Sequence, residues 1–555
     1  MNSADVIVVG LGPTGAVLSA LLAQRGMTVA AFDRMPDLFP LPRAIGFDHE
    51  VMRVMQELGI ASRVLTHAAP YRPSQYRGVE GQLIKQLDTE PPPHRLGWAP
   101  NYVFDQPAFE REIRGRLSEL AGVRVFLSCQ VLSHTQSREG VEVEVQNADG
   151  EIEQWMARYL VACDGGSSPI RKALGIKLED LAFDEHWLVV DADVHDHKIA
   201  DLPTTQVQYC EPERPCTFVV GPGNHRRWEV MLLEVDSLSS DFPPDQLWPL
   251  LSRWIKPGDA ELRRAAAYRF HGLVAEQWRK GRVLLAGDAA HMTPPFMAQG
   301  MVQGIRDAHG LAWRLQRVLS GASTDRLLDD YGVERRPHVT ATTRAAIQLG
   351  RVICERDPVK ARSRDARMLA EQGGVVKTTF RQSMIPPLRD GLIATGTPGA
   401  GEPLPQPTVI TPGGVSKLLD DITGACFRIV VTERLTDDEA GAVAVMAAAL
   451  KGCAVFVGPD AKRHAGLGFS VEEETPLLQA WLHGLGADVA IVRPDHYVYG
   501  TAAGVEAGLA LVDQLRERIK NKNCGDPGSV TTPCEPEREH PPLTLQIQPA
   551  TTSTP

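Results

Sequence analysis

The segment Asp5–Asp33 constrains this chain more than any other. A short apolar, β-branched run from Asp5 leads into Gly10-Leu11-Gly12-Pro13-Thr14-Gly15. A helix-forming stretch, Ala16–Arg25, follows and is closed by Gly26, and a second apolar run covers Thr28–Asp33. Strand, glycine turn, helix and strand make a βαβ unit of about 30 residues. Each glycine has its own reason. Gly10 permits the tight turn, Gly12 lets a pyrophosphate approach the backbone, and Gly15 lets helix and strand pack closely. The helix N-terminus offers free N–H groups and a partial positive charge to phosphates. Asp33 and Arg34 end the second strand, and an acid there accepts hydrogen bonds from an unphosphorylated adenosine ribose, as in FAD or NAD.

Two further turns narrow that choice. Gly287-Asp288-Ala289-Ala290-His291 ends the apolar strand Arg282–Gly287, and Pro294-Pro295 then leads to Gly300-Met301 at the start of a helix. A carboxylate at a strand end beside small residues suits the ribityl hydroxyls of a flavin. A helix N-terminus at Gly300-Met301 points its dipole at the pyrimidine end of an isoalloxazine, where negative charge develops on reduction. Asp164-Gly165-Gly166-Ser167-Ser168-Pro169-x-Arg171 follows the apolar strand Arg158–Cys163 and packs a glycine-rich backbone against a dinucleotide.

The rest of the chain fits around this core. At 555 residues it holds two to four domains. Segments Val123–Leu127 and Val141–Gln146 are strand-like. Between 183 and 270, Trp187–Val194, Thr205–Cys210 and Trp228–Val235 suggest a mostly antiparallel sheet. Ile305, Ala308, Ala312, Leu315 and Leu319 share one face of a helix spanning about 303–319. After a Gly/Pro-rich linker at Thr395–Pro407, Phe427–Thr432, Glu439–Lys451, Ala454–Val457 and Val489–Arg493 alternate strand and helix. The Pro-, Thr- and Glu-rich segment 521–555 is expected to be a disordered tail.

Composition excludes several classes. A net charge of −11 argues against non-specific nucleic-acid binding. Nine scattered cysteines without a CxxC pair form neither a disulfide framework nor a zinc site, so no metal is expected and a cytoplasmic setting is. The N-terminal apolar run is too short for a signal peptide or a membrane span.

These motifs, in this order and spacing, resemble the class A flavoprotein aromatic hydroxylases. Pro42-Arg43-Ala44 looks like that family's Pro-Arg-Ala segment, whose Arg contacts FAD, and Gln106-Pro107 looks like its Gln-Pro motif, whose Gln also binds the cofactor. The likeness runs from residue 5 to about 340, through Tyr331-x-x-Glu334-Arg335-Arg336-Pro337. The nearest subgroup resembles the 3-(3-hydroxyphenyl)propionate hydroxylases, on Pro42–Asp48, Val161–Gly166 and Arg226–Glu229. The C-terminal part, with Arg493-Pro494-Asp495, resembles the thioredoxin-like tail of the wider phenol-hydroxylase group; lacking CxxC, it is expected to have no redox role. One departure stands out: the family commonly reads Gly-x-Gly-Met-Asn in the flavin loop, whereas this chain has Ala298-Gln299-Gly300-Met301-Val302, losing the Asn contact. Gly310 replaces a frequent Asn in the following helix.

The resemblance implies an α/β fold. A Rossmann-like FAD-binding domain (1–182 and 271–395) carries an inserted, mostly antiparallel substrate sheet (183–270), and a small thioredoxin-like α/β domain (400–520) follows. It implies FAD as cofactor, NADH or NADPH and O2 as co-substrates, and hydroxylation ortho to a phenolic hydroxyl. The expected substrate is 3-(3-hydroxyphenyl)propanoate or 3-hydroxycinnamate; a nitrocatechol, resorcinol or polyketide phenol is the alternative, and a non-catalytic flavin sensor a further one. Partners are a small aromatic substrate and a second copy of the chain, with no nucleic acid or membrane.

Expected cofactor contacts are Gly10, Gly12, Gly15, Asp33, Arg34, Arg43, Gln106, Asp164, Gly287, Asp288, Ala289, Gly300 and Met301. For the chemistry, His291 is a candidate base, though a structural histidine packed below the flavin is the simpler reading; His49 and Tyr209 are weaker candidates. Pro295, Phe296 and Met297 are expected to wall the flavin and the ring, and Arg226 or Arg227 to meet a propionate-type substrate.

Overall fold

The computed structural model describes residues 2–234, 236 and 242–520; the expected tail, 521–555, and Val235 lie outside the described residues. Strand Asn2–Val9 sits inside a parallel sheet, with Val29–Phe32 on one side and Ile152–Ala162 on the other. Val123–Phe126 and Val283–Leu285 extend the sheet outward on these two sides, also in parallel. Val6, Ile7 and Val8 are fully buried, as a strand covered on both faces requires, and this is why the sequence there is continuously apolar rather than alternating.

The antiparallel sheet is built on the long pair Leu178–Val194 and Ala260–Ala275, with His225–Met231, Cys216–Val220 and Gln206–Tyr209 added in turn. It is wider than the stretch 183–270. Ser74–Arg77 joins Gln206–Tyr209 in parallel, Leu83–Asp88 and Thr378–Phe380 follow, and His291–Met292 closes the opposite edge. One face packs Leu188, Tyr209, Phe218 and Trp228 under helix Pro244–Leu251; the other packs Trp187, Cys210, Phe296, Met297 and Ile347. The period of two along a strand therefore separates Tyr209 from Cys210.

The C-terminal sheet has the order 416–418, 408–410, 469–473, 453–457, 428–431, 489–492, 498–502, with parallel central pairs and an antiparallel edge. Helices Asp437–Ala449, Leu477–Gly484 and Val505–Lys520 accompany it in a thioredoxin-like arrangement. Buried ion pairs tie it to the rest. Arg53 is paired with Asp420, and Arg493 Nη1 lies 2.5 Å from Glu334 Oε2. Trp313 Nε1 donates to Asp495 at 2.9 Å. Among the described residues no helix is long and apolar enough to cross a membrane.

Candidate active site

Four of the sequence motifs leave the same edge of the parallel sheet. Gly10 follows the strand ending at Val9, Asp33 the strand ending at Phe32, Asp164 the strand ending at Ala162, and Gly287 the strand ending at Leu285. Ligands of open parallel sheets bind outside these carboxyl ends. The first and last motifs touch: a Cβ at Gly287 would stand 2.6 Å from Thr14 Oγ1, and one at Gly304 2.2 Å from the same atom. Residues 10–15 and 287–304 thus close on one another.

The backbone fits a dinucleotide here. A Cβ at Gly10 would meet Cys163 O at 2.3 Å and one at Gly15 would meet Gly10 O at 1.9 Å, whereas Gly12 faces open space. Asp33 accepts from Leu11 N (2.7 Å) and Met35 N (2.8 Å), which fixes its carboxylate beside the turn. Asp164 keeps a buried Oδ1 without a partner, and burial raises its pKa. Asp288 is solvent-accessible along the cleft yet crowded by protein, which raises its pKa too; Arg43 and His291 pull the other way. Arg171 ties two motif loops together by donating to Ala289 O (2.9 Å) and Gly166 O (2.8 Å). A pyrophosphate at Gly12 and a ribityl chain at Asp288 match this donor set, so the residues present fit FAD.

Next to this cleft, at Met297 and Gln299, lies a cavity of about 390 Å³. Its wall combines Asp48, His49, Glu50 and Arg306 with Arg381–Pro387 and Tyr497. Arg306 donates to Asp48 Oδ2 (2.5 Å), Glu50 Oε1 (2.6 Å) and Gln299 Oε1 (2.7 Å), and Tyr497 donates to Glu50 Oε2 (2.5 Å). The guanidinium holds the Glu50 carboxyl below its usual range against the opposing effect of burial. Burial lowers the His49 pKa to about 4, and His49 Nδ1 is buried without a partner. The imidazole is therefore neutral near pH 7. Arg381 donates to Met297 O at 3.0 Å and lies 4.7 Å over the Tyr71 ring. It has no carboxylate partner among the described residues, whereas Arg95 is paired with Glu402.

Comparison with known proteins agrees with this geometry. A family described as an FAD-binding domain matches residues 3–346, and one described as the HcaD C-terminal domain matches 401–518. The chain is 38% identical to a probable NADH-specific resorcinol 4-hydroxylase of Rhodococcus jostii, over 92% of this chain and 94% of the relative. It is 31% identical to a 3-(3-hydroxy-phenyl)propionate/3-hydroxycinnamic acid hydroxylase of Burkholderia cenocepacia, over 92% and 96%. This chain belongs to the FAD-dependent aromatic hydroxylases. Its fold is that of aklavinone-11 hydroxylase, crystallised with FAD and aklavinone, at a TM-score of 0.75 and 23% identity over 94% of this chain and 100% of that one. The reading as a non-catalytic flavin sensor has no support in these relatives.

Within this hydroxylase several expected residues take other places. His291 is fully buried, stacks on Trp278, and lies 2.7 Å from Asp307 Oδ2. Asp307 also accepts from Gly287 N (3.0 Å) and Arg335 Nε (2.9 Å), so His291 braces the Gly-Asp turn and is closed off from the cavity surface. Tyr209 packs against Trp254 on the far face of the sheet, away from the residues that line the cavity described above. Arg227 is committed to Asp191 (2.7 Å) and to Pro42 O and Arg43 O (3.0 and 2.9 Å). It pins the Arg43 loop rather than a substrate. Arg226 donates to Gly223 O and His225 O. Gln106 Oε1 accepts from Arg43 N (2.8 Å) and Ala44 N (2.6 Å) and its Nε2 donates to Glu110, so it serves the cleft through the Arg43 loop.

Arg43 and Arg34 are exposed, Arg43 lying 4.4 Å over the Phe39 ring. A Cβ at Gly300 would meet Thr293 O at an ordinary 3.9 Å, and Met301 packs against the core beside it. Met297 lines the cavity; Phe296 stands behind it, edge-on to Phe183, and Pro295 precedes them in the same turn. Ala298 occupies the left-handed region at φ 55°, a conformation that glycine adopts more easily than alanine. Val302, in place of the Asn, is fully buried in the core.

The sequence reasoning passed over Asp48, Glu50, Gln299, Arg306, Arg381 and Tyr497. Asp48 and Gln299 lie inside motif segments, and nothing local marks the others. Among the described residues one cluster, Glu57, His309 and His496, has a metal-like donor set. His496 Nδ1 accepts from Arg428, which leaves the proton on Nε2, and Glu57 is paired with Arg25 at 2.6 Å. The cluster is an ion-pair network.

Proposed function

We propose that this hydroxylase adds a hydroxyl group ortho to the phenolic hydroxyl of a single-ring 3-hydroxyphenyl acid, 3-(3-hydroxyphenyl)propanoate or 3-hydroxycinnamate, with NADH as reductant. Bound FAD would supply electron transfer from the nicotinamide and the activation of O2. Gly10, Gly12, Gly15 and Asp33 would hold its adenosine diphosphate half, and Asp288 its ribityl chain. The helix start at Gly300 would favour negative charge on the reduced ring.

The observation that carries the substrate reading is Arg381, a cavity cation with no carboxylate partner among the described residues. A substrate carboxylate supplies that partner. The cavity's roughly 390 Å³ lies at the small end for ligand pockets and suits one ring with a short chain rather than a polycycle. His49 lines the cavity as a neutral imidazole, which can accept a hydrogen bond from the phenolic hydroxyl and so help orient the ring. Met297, with Phe296 behind it, limits water at the reacting ring.

A second reading, resorcinol, rests on the 38% identity to the Rhodococcus jostii enzyme named for it. A substrate panel with product masses separates the two. With the acid as substrate, Arg381→Met is expected to lower kcat/KM by about 10–100-fold, the worth of a charged hydrogen bond, while activity on resorcinol stays within a factor of two or so. Turnover of resorcinol with no product from either acid sinks the first reading. Initial rates with NADH and NADPH test the reductant.

A further inference from the structure

The thioredoxin-like part lacks a CxxC, yet two of its cysteines meet. Cys426 stands just before strand Arg428–Val431 and Cys453 opens strand Cys453–Val457; these strands pair in parallel with Arg428 opposite Cys453. That register brings Cys426 Sγ and Cys453 Sγ to 3.4 Å from each other, although 27 positions separate them in the chain. Both residues are half-buried, and neither is disulfide-bonded.

The pair is also reachable. Cys426 lines a second cavity, of about 220 Å³, whose wall includes Trp313, Arg317, Lys451 and Arg25, the last paired with Glu57, and among the described residues no carboxylate lines it. Positive surroundings favour a thiolate. In keeping with this, the Cys453 thiol hydrogen bond and the Arg428 guanidinium lower the Cys426 pKa, while that of Cys453 is pushed up. One sulfur is thus set to be the nucleophile and its neighbour the resolving thiol. The other cysteines in the core, such as Cys210 and Cys216, are buried singly and have pKa values raised by burial.

The geometry points to Cys426 and Cys453 as a reversible dithiol–disulfide site oxidised by hydrogen peroxide, the two-electron reduction product of O2 released when a flavin oxygenase consumes reductant without hydroxylating substrate. The Cys426 thiolate takes one oxygen of the peroxide, giving a sulfenic acid and hydroxide. Cys453 then displaces hydroxide from that sulfur and the S–S bond forms. In sum, two thiols and one H2O2 give one disulfide and two waters.

Peptide mapping of the full-length flavin-loaded protein tests this after exposure to a small excess of hydrogen peroxide and alkylation of free thiols. Trypsin releases Cys426 in residues 418–428 and Cys453 in residues 452–462. The expected result is these two peptides joined, about 2 Da below the sum of the reduced pair, and separated again by dithiothreitol. In Cys453→Ser the sulfenic acid on Cys426 is expected to be trapped by dimedone; in Cys426→Ser, position 453 stays alkylatable. Both variants keep their FAD content, read from visible absorbance. The inference is overturned if both cysteines remain alkylatable while others oxidise, or if Cys426 pairs with a different cysteine. Trapping at Cys453 in place of Cys426 overturns the assigned order of attack.

Discussion

The cofactor cleft and the adjacent cavity are built by opposite means. In the cleft the backbone does most of the work: Gly10 and Gly15 are glycine because another main-chain atom occupies the place of a Cβ, and Gly12 leaves open space at the turn. In the cavity side chains do it. Arg306, Asp48, Glu50, Gln299 and Tyr497 come from helix Gly300–Leu319, from the residues about helix His49–Glu57, and from the C-terminal part, and they form one hydrogen-bonded cluster. A backbone site tolerates almost no substitution at a few positions. A side-chain site spreads its tolerance unevenly, because breaking one buried charge leaves others unpaired.

The largest effect is expected where the backbone has no room. Gly15→Val places carbon atoms within 1.9 Å of Gly10 O, which no rotamer relieves. FAD affinity is expected to fall by more than about 100-fold, or the chain to fail to fold, read by flavin absorbance per chain and by circular dichroism. A yellow, fully loaded Gly15→Val protein breaks the distinction between the two regions. Next comes Arg306→Met, which strands Asp48 and Glu50 beside the cavity. It is expected to cost about 3–5 kcal/mol of stability by denaturant titration, with a fall in kcat/KM larger than any fall in FAD affinity.

Acid sharpens the same contrast. Arginines hold Glu50, Asp191 and Asp420 below the usual carboxylate range. A depressed folded pKa contributes stability above the unfolded value and loses it as pH falls through the folded value. Burial also keeps His49, His338 and His496 neutral, so stability is expected to begin to decline as pH falls below about 6.5 and to fall more steeply below about pH 4.5, where the paired carboxylates protonate, seen as a falling Tm. A Tm that rises below that pH removes the ion clusters from the account. The smallest effect is expected at Ala298, where φ is 55°. Ala298→Gly relieves a left-handed alanine at the flavin loop and is expected to raise stability by no more than about 1 kcal/mol, with FAD content unchanged.

Part of this was legible in the chain because its causes are local. The apolar run before Gly10, the acid at the end of the next strand and the Gly-Asp turn after Arg282–Leu285 each report on neighbours in sequence. Tyr209, Arg226, Arg227 and His291 were readable as chemistry-bearing residues but not as to where they point. Tyr209 and Cys210 are adjacent and face opposite sides of one sheet, and only the packing of helix Pro244–Leu251 makes the Tyr209 side the far one. Arg227 reads as a substrate cation until Asp191 and the Pro42 and Arg43 carbonyls are seen around it.

The sequence by itself determined the kind of enzyme, through its motif order, and the glycine turns at the sheet edge, because glycine requirements and strand-end acids are set by neighbours within a few residues. Tertiary structure decided which ionisable groups are spent on one another and which remain free. Arg306 and Arg381 are the same residue type on the same cavity, yet among the described residues only the first is neutralised by carboxylates, and that difference comes from chain segments hundreds of residues away folding alongside it. The thiols follow the same logic: Cys426 and Cys453 share no motif, and strand register alone makes them neighbours.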